Sequence, residues 1–467
     1  MVRTRELPTF ELRRLISTLF WHFPMSENRS TSPETFSETW NPDDLSVRMG
    51  TSERLRSCNR LQESIMKLLT RHFSCFILFV TLTSVQAISQ EPVTEPNTAT
   101  PPQAETAAAP EAEKAVEVPP GYDFTIETQI PCTSVKNQGS TGTCWCFATA
   151  SFIESEIIRM GKGEHDLSEM FIVRNIYQDK ARNYLMRQGK TNFGEGALAH
   201  DFIRAASRHG VVPNSVYTGL EDGANGHNHG EMFNVMEGIL KGLVEQKSLT
   251  PKWPAVLDGV MDVYLGAPPA EFSYEGKTYT PQSFALELGF DSDNYVNLTS
   301  YNHHPFGRPF SLEIPDNFSS GQFQNMPIDE LVAAIDNAIA NGFTVAWDGD
   351  ISERGFSRTN GLALLPRDAG RRDLFRVRGE ELTVDQDMRQ KTFNSRSTTD
   401  DHLMHLVGVA RDADGKKYYL IKNSWGEVGK HDGYLYMSEA FLRLKTVAVL
   451  MHQDAVPAPE EATTPET

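Results

Sequence analysis

Gln138-Gly139-Ser140-Thr141-Gly142-Thr143-Cys144-Trp145 is the stretch on which the reading of this chain turns. Five small, turn-prone residues lead into a cysteine, and a helical period begins there. Phe147, Ile153, Ile157 and Ile158 recur near helical spacing, and Gly161 follows Met160 as a stop. The period predicts a helix over 143–160 with Cys144 in its first turn. A thiol at that place feels the positive end of the helix dipole and meets unpaired backbone N–H groups, which together favour the thiolate. The same N–H groups can receive an oxyanion. A nucleophile also needs a base, and the base needs a group to orient it. His402 and His405 lie on a predicted strand far downstream, and Asn423-Ser424-Trp425-Gly426 follows. On these residues alone, Cys144 as a small buried hydrophobe is the commoner reading.

The wider chain sets the fold class. Residues 167–185 carry a second helical pattern with Ser168 as its N-cap. Residues 327–340 carry a third, with Ile328, Leu331, Val332, Ile335 and Ile339 on one face and Gly342 after it. The short apolar runs 403–409 and 417–422 flank Asp414-Gly415, which is a hairpin signal. Helices dominate the first half and strands the last part, so the class is α+β.

Several motifs, taken in order, resemble the papain-like cysteine peptidases. Residues 138–145 resemble the family's nucleophile segment. Asp401-His402-Leu403 with Gly408 resembles its histidine strand, Asn423-Ser424-Trp425-Gly426 its asparagine segment, and Leu167-Ser168-Glu169 a pattern of its helical lobe. The resemblance spans about Gly121 to Val456. It implies a two-lobed fold, one lobe helical and the other an antiparallel β-barrel-like lobe. It also implies roles by position: Cys144 as nucleophile, His402 as its proton partner, Asn423 orienting the imidazole, Trp425 shielding that contact, and Gln138 as an oxyanion-hole donor. Residues three apart on a strand face opposite ways, so only one of His402 and His405 can face Cys144. His402 has the family's spacing to Gly408 and follows Asp401.

Cys144 and His402 are 258 residues apart, against about 130–150 in papain and the cathepsins. A large insertion therefore lies between the two segments. This length, and Thr141 where papain has a cysteine, resemble the bleomycin hydrolase and aminopeptidase C branch. That branch implies an aminopeptidase acting on peptide substrates, a hexamer, and no cofactor. Thr191-Asn192 with Gly196 resembles its glycine segment, which makes Gly196 a substrate-binding residue. In the branch, the chain's own terminal carboxylate reaches the cleft and selects the substrate's free amine. Here the end is an acidic, Pro-rich run finishing at Thr467, which also opens a reading as a secreted endopeptidase. A catalytically idle binding protein of the same fold is the competing class. Such proteins usually lose the Cys, His or Asn, and this chain keeps all three.

Composition bounds the rest. The net charge is −18, which argues against a nucleic-acid partner, since phosphate binding needs clustered Lys and Arg. Residues 1–65 read as an untranslated or disordered leader. Lys67 and Arg71 precede the apolar run Phe73–Leu82, and Val85-Gln86-Ala87 closes it, which is the form of a signal peptide over 66–87 starting at Met66. The run is too short for a stable membrane span, so the expectation is export to the periplasm or beyond. Residues 88–120 are rich in Pro, Ala, Glu and Thr and read as a linker. The peptidase domain is expected over 121–456 and a disordered tail over 457–467. Of five cysteines, Cys132, Cys144 and Cys146 follow the cleavage point, too few for a disulfide framework. Cys146 is expected in the core and Cys132 unpaired. No metal is expected: His227, His229 and Glu231 would share a strand face but lack further ligands, His303-His304-Pro305 reads as a turn, and Asp348–Asp350 reads as a solvated turn.

Overall fold

The computed structural model describes residues 121–220 and 223–457. The expected leader, signal peptide and linker, and all but Pro457 of the tail, lie outside the described residues.

Strand β1 (Phe124–Gln129) leads to the central helix α1 (Cys144–Arg159). Every residue of α1 from Trp145 to Ile157 is buried, as befits a helix packed on all sides. The Thr149 hydroxyl donates to the Trp145 carbonyl one turn back, at 2.7 Å. Helix α2 (Glu169–Met186) starts at the expected cap, where Ser168 Oγ accepts from the Phe171 N–H at 3.1 Å. Helices α3 (Ala199–His209), α4 (Gly230–Val244) and α5 (Trp253–Leu265), the hairpin β2–β3 (Phe272–Tyr274, Lys277–Tyr279) and α6 (Pro281–Glu287) complete this layer. They share one apolar core with α1.

The second layer is a sheet of eleven strands among the described residues. Strands β4 (Tyr295–Thr299), β5 (Pro309–Ser311) and β6 (Gln322–Asn325) precede helix α7 (Ile328–Ala340), whose five predicted apolar residues all face a second core. Then come β7 (Val345–Gly349), β8 (Phe356–Ser357), β9 (Leu362–Ala363), α8 (Gln386–Asn394), β10 (His402–Asp412), β11 (Lys417–Lys422), β12 (Tyr434–Ser438), α9 (Glu439–Lys445) and β13 (Thr446–His452). The order is β5-β6-β4-β13-β7-β10-β11-β12-β9-β8, with β1 also on β10. The β10–β11 pair is the predicted hairpin. The sheet is mixed: β12–β9 and β4–β6 pair in parallel, each over two residues. Both join strands separated by long connections, which parallel pairing requires.

The seam between the layers is polar. Lys422 Nζ donates to the Thr133 carbonyl at 2.7 Å and to Ser151 Oγ at 2.8 Å, and Ser151 Oγ lies 2.8 Å from His405 Nδ1. This ties the middle of α1 to the centre of β10. Helices α4 to α6, the β2–β3 hairpin and β4 to β6 all fall between Cys144 and His402, and they are where much of the extra length resides. Among the described residues, no helix is long and apolar enough to cross a membrane.

Candidate active site

Cys144 is the first residue of α1, and no acidic residue occupies that helix's first turn. The loop before it is held from three sides. Gly139 sits at φ 67°, and a Cβ there would come within 2.3 Å of the His227 carbonyl oxygen. Only glycine fits this left-handed, crowded position. The Gly142 N–H donates to Glu195 Oε2 at 2.7 Å, and Trp145 Nε1 donates to the Glu195 carbonyl at 3.0 Å. Gln138 Nε2 donates to the Thr141 carbonyl at 2.8 Å, which leaves its second amide hydrogen free.

Gln138 is also the link to the asparagine segment. Its N–H donates to the Ser424 carbonyl at 2.9 Å, and Ser424 Oγ donates to Gln138 Oε1 at 2.7 Å. Next to Ser424, Asn423 Oδ1 lies 2.9 Å from His402 Nε2. An amide oxygen only accepts, so Nε2 carries the proton and Nδ1 is left as the basic nitrogen. Trp425 stacks on the His402 ring, centroids 4.5 Å apart. The sulfur is joined to this cluster through Leu403, whose backbone N–H bonds Cys144. His405 points elsewhere. It is wholly buried against Ser151 and edge-on to Phe152, and burial, then Lys422, pull its pKa well down.

Burial pushes the Cys144 thiol up to about 12, against the N–H groups of Leu403 and Trp145, with Asp400 and Asp348 adding to the rise. Burial also pulls His402 down to about 4, against its bond to Asn423. Neither group tolerates an isolated charge. Moving a proton from sulfur to imidazole creates two opposite charges together, and their attraction offsets part of that cost.

Cys144 and Gly196 share the wall of a cleft of about 460 Å³. Phe233 and Glu237 of α4, and Asp316, also line it, so the insertion builds part of the cleft. Phe193 stacks on Phe233 with centroids 4.5 Å apart. Gly196 is glycine for a steric reason: a Cβ there would lie 1.9 Å from Asp316 Oδ2. Thus Cys144 and Gly196 face one cleft, while His402, Asn423, Trp425 and Gln138 form the adjoining cluster.

Some expectations need correction. Asp348 and Asp350 are not solvated: they are 3% and 1% exposed. Strand β7 is interior, and Asp350 pairs with Lys445 at 3.2 Å. His227 and His229 are not on a strand. His229 donates to or accepts from Tyr177 at 3.0 Å just before α4, and burial followed by His227 lowers its pKa to about 4. His303 and His304 both reach Glu313, at 3.1 and 2.8 Å. Together these three are the one cluster among the described residues with metal-ligand spacing. Cys132, Cys144 and Cys146 are all free, and Cys146 Sγ donates to the Glu169 carbonyl at 3.3 Å.

Lys136 explains the Glu169 motif. Its ammonium lies 3.0 Å from Glu154, which is fully buried, and 2.8 Å from Glu169, and it also contacts Asp166. Burial raises Glu169 to about 7 even though Lys136 opposes it. Lys136→Met would leave two buried carboxylates without their cation, so it is expected to cost about 3–5 kcal/mol at pH 8. The cost should shrink as pH falls through 7, because Glu169 then takes up a proton. Urea unfolding at the two pH values checks this.

Comparisons with known proteins place the chain in a family. The Peptidase C1-like family model matches residues 196–466, and the papain family cysteine protease model matches 118–213. Aminopeptidase G of Lactobacillus delbrueckii subsp. lactis is 24% identical, over 70% of this chain and 83% of its own. Aminopeptidase C of Streptococcus thermophilus is 22% identical, over 73% of this chain and 85% of its own. The crystal structure of PepW from Lactobacillus rhamnosis matches with a TM-score of 0.58 at 20% identity, covering 71% of this chain and 83% of that one. That likeness shows the shared papain-like fold. With one family model spanning more than half of its length, this chain belongs to the Peptidase C1-like family and is a cysteine peptidase of the papain type.

Proposed function

We propose that the chain is an aminopeptidase of the aminopeptidase C type, and that Cys144, His402 and Asn423 carry its chemistry. The observation that carries the proposal is the 2.9 Å contact of His402 Nε2 with Asn423 under the Trp425 ring, next in the chain to Leu403, whose N–H bonds the sulfur at the start of α1. Asn423 holds the tautomer that leaves Nδ1 basic. Nδ1 takes the thiol proton, and Cys144 Sγ attacks the substrate carbonyl carbon. The oxyanion accepts from the Cys144 N–H and from the free hydrogen of Gln138 Nε2. The imidazolium then protonates the leaving amine, and water, deprotonated by the imidazole, hydrolyses the thioester. Gly196, on the cleft wall, presents its backbone to the substrate, with the Asp316 carboxylate packed against its Cα. The aminopeptidase part of the reading is supported by relatives named aminopeptidase G and aminopeptidase C.

A thiol-directed epoxide inhibitor tests the nucleophile. One equivalent is expected on Cys144, located by peptide mapping, with full loss of peptide hydrolysis. Labelling of Cys132 or Cys146 with activity retained would reject the assignment. Matched peptides with a free or an acetylated N-terminus test the mode of cleavage, and equal rates on both would reject the aminopeptidase reading alone.

A further inference from the structure

The cleft beside Cys144 is lined by five carboxylates, Glu195, Glu237, Asp316, Asp400 and Asp401, and by no lysine or arginine. Behind them lies Asp348, 3% exposed. Apart from the carboxyl group of Asp400, neither oxygen of Asp348 has a hydrogen-bond partner among the described residues, and one oxygen of Asp400 is also without one. Buried acceptors without donors are costly, so a site this acidic is built to receive a donor from outside. A metal ion does not fit, because these oxygens do not converge to the span that one ion bridges.

The nearest protein cation does not fill the need. Lys180 Nζ donates to the Gly196 carbonyl and lies 5.1 Å from the Phe318 ring. It feels Asp316, Asp201, Asp400 and Glu195, yet burial still lowers its pKa. One buried ammonium, already bonded to a backbone carbonyl, stands against several carboxylates.

We infer that the Asp400–Asp348 pair, with Asp316 across the cleft, is a specificity site for a cationic group of the peptide substrate. This rests on the reading of Cys144 as the nucleophile. The group is an ammonium or guanidinium, supplied either by the substrate's N-terminus or by a Lys or Arg side chain. A cation there would do more than bind. Burial holds Asp348 well above the usual carboxylate range and Asp400 at about 7. Both also oppose the Cys144 thiolate. A bound cation gives the pair an opposite charge and cancels that opposing field, so the sulfur is activated further when the right substrate is in place.

The test is kcat/KM on two matched substrate pairs, with wild-type enzyme, Asp400→Asn and Asp316→Asn. One pair differs in a free against an acetylated N-terminus, the other in lysine against norleucine beside the scissile bond. The readout is the ratio of cationic to neutral substrate. It is expected to exceed about 10 in the wild type for one pair, and to fall toward one in Asp400→Asn. The pair that shows this preference identifies the source of the cation. Should Asp400→Asn fail to fold, Asp316→Asn is expected to lower the same ratio by a smaller factor. A wild-type ratio near one for both pairs, or ratios unchanged in the folded variants, overturns the inference. Epoxide labelling of Cys144 in the same preparations separates the two readings. With Cys144 labelled, a cationic preference that survives unchanged in the folded variants rejects the specificity site alone. A wild-type ratio near one for both pairs rejects the site together with the aminopeptidase mode, and absence of labelling rejects the nucleophile.

Discussion

Cys144→Ala is expected to lower kcat for peptide hydrolysis by on the order of 10⁵–10⁶, to a residue of turnover supplied by binding and the oxyanion donors. The size follows from what the sulfur does. It opens a covalent route that splits one difficult hydrolysis into two easier steps, and it sits at the first position of α1, where the Leu403 N–H of the His402 strand bonds it. The loss should not be one of folding. Cys144 is partly exposed, and its replacement removes one sulfur that the surrounding N–H groups can trade for water. Cys146→Ala is the control. Its thiol is buried and bonded to the Glu169 carbonyl, so it should cost about 1–2 kcal/mol of stability and leave epoxide labelling of Cys144 intact. Steady-state kinetics with thermal unfolding on both variants decides the matter. Substantial hydrolysis by folded Cys144→Ala would remove the nucleophile from the mechanism.

The nucleophile loop, the helix behind it and the hairpin that carries His402 were legible because each has a local signature. Small residues lead into a helical period at Cys144, Ser168 caps the next helix, and Asp414-Gly415 turns between two apolar runs. The acidic cleft was not legible, because it is assembled, with Asp348 behind it, from five separate places. Glu195 immediately precedes Gly196, Glu237 sits on α4, Asp316 lies in the insertion, Asp348 is near the end of an interior strand, and Asp400 and Asp401 precede the histidine. In sequence each is one acidic residue among 62, and an Asp-Gly-Asp run reads as a turn. What buries Asp348 is the pairing of β7 between β10 and β13, a long-range event without a local pattern. One signal was available: two adjacent aspartates directly before the histidine, where a solvent-facing run has no need to be. The His227–His229 segment misled for the opposite reason. Alternation suggested a strand face, whereas the segment packs beneath Gly139 as loop and leads into α4.

His402→Ala is expected to reduce kcat by on the order of 10⁴–10⁶, and to change how the sulfur titrates. In the intact site the thiol can pass its proton to His402 Nδ1, so alkylation by iodoacetamide should proceed at neutral pH. Without the imidazole that proton must go to solvent, and burial then holds the thiol up at about 12. The alkylation rate of His402→Ala should therefore be low at pH 7 and climb only on the alkaline side, as the thiolate fraction of a raised pKa rises with pH. His405→Ala makes the contrast. His405 contacts Ser151 and lies beside Lys422 at the seam between helix and sheet. Its loss should lower stability by about 1–3 kcal/mol through unpaired seam groups while the alkylation profile of Cys144 keeps its neutral limb. The two histidines are three residues apart on β10 and project to opposite faces, so the strand admits one proton partner for the sulfur. A profile that moves in His405→Ala and stays in His402→Ala would give that part to His405, and would leave the Asn423 contact as a structural bond.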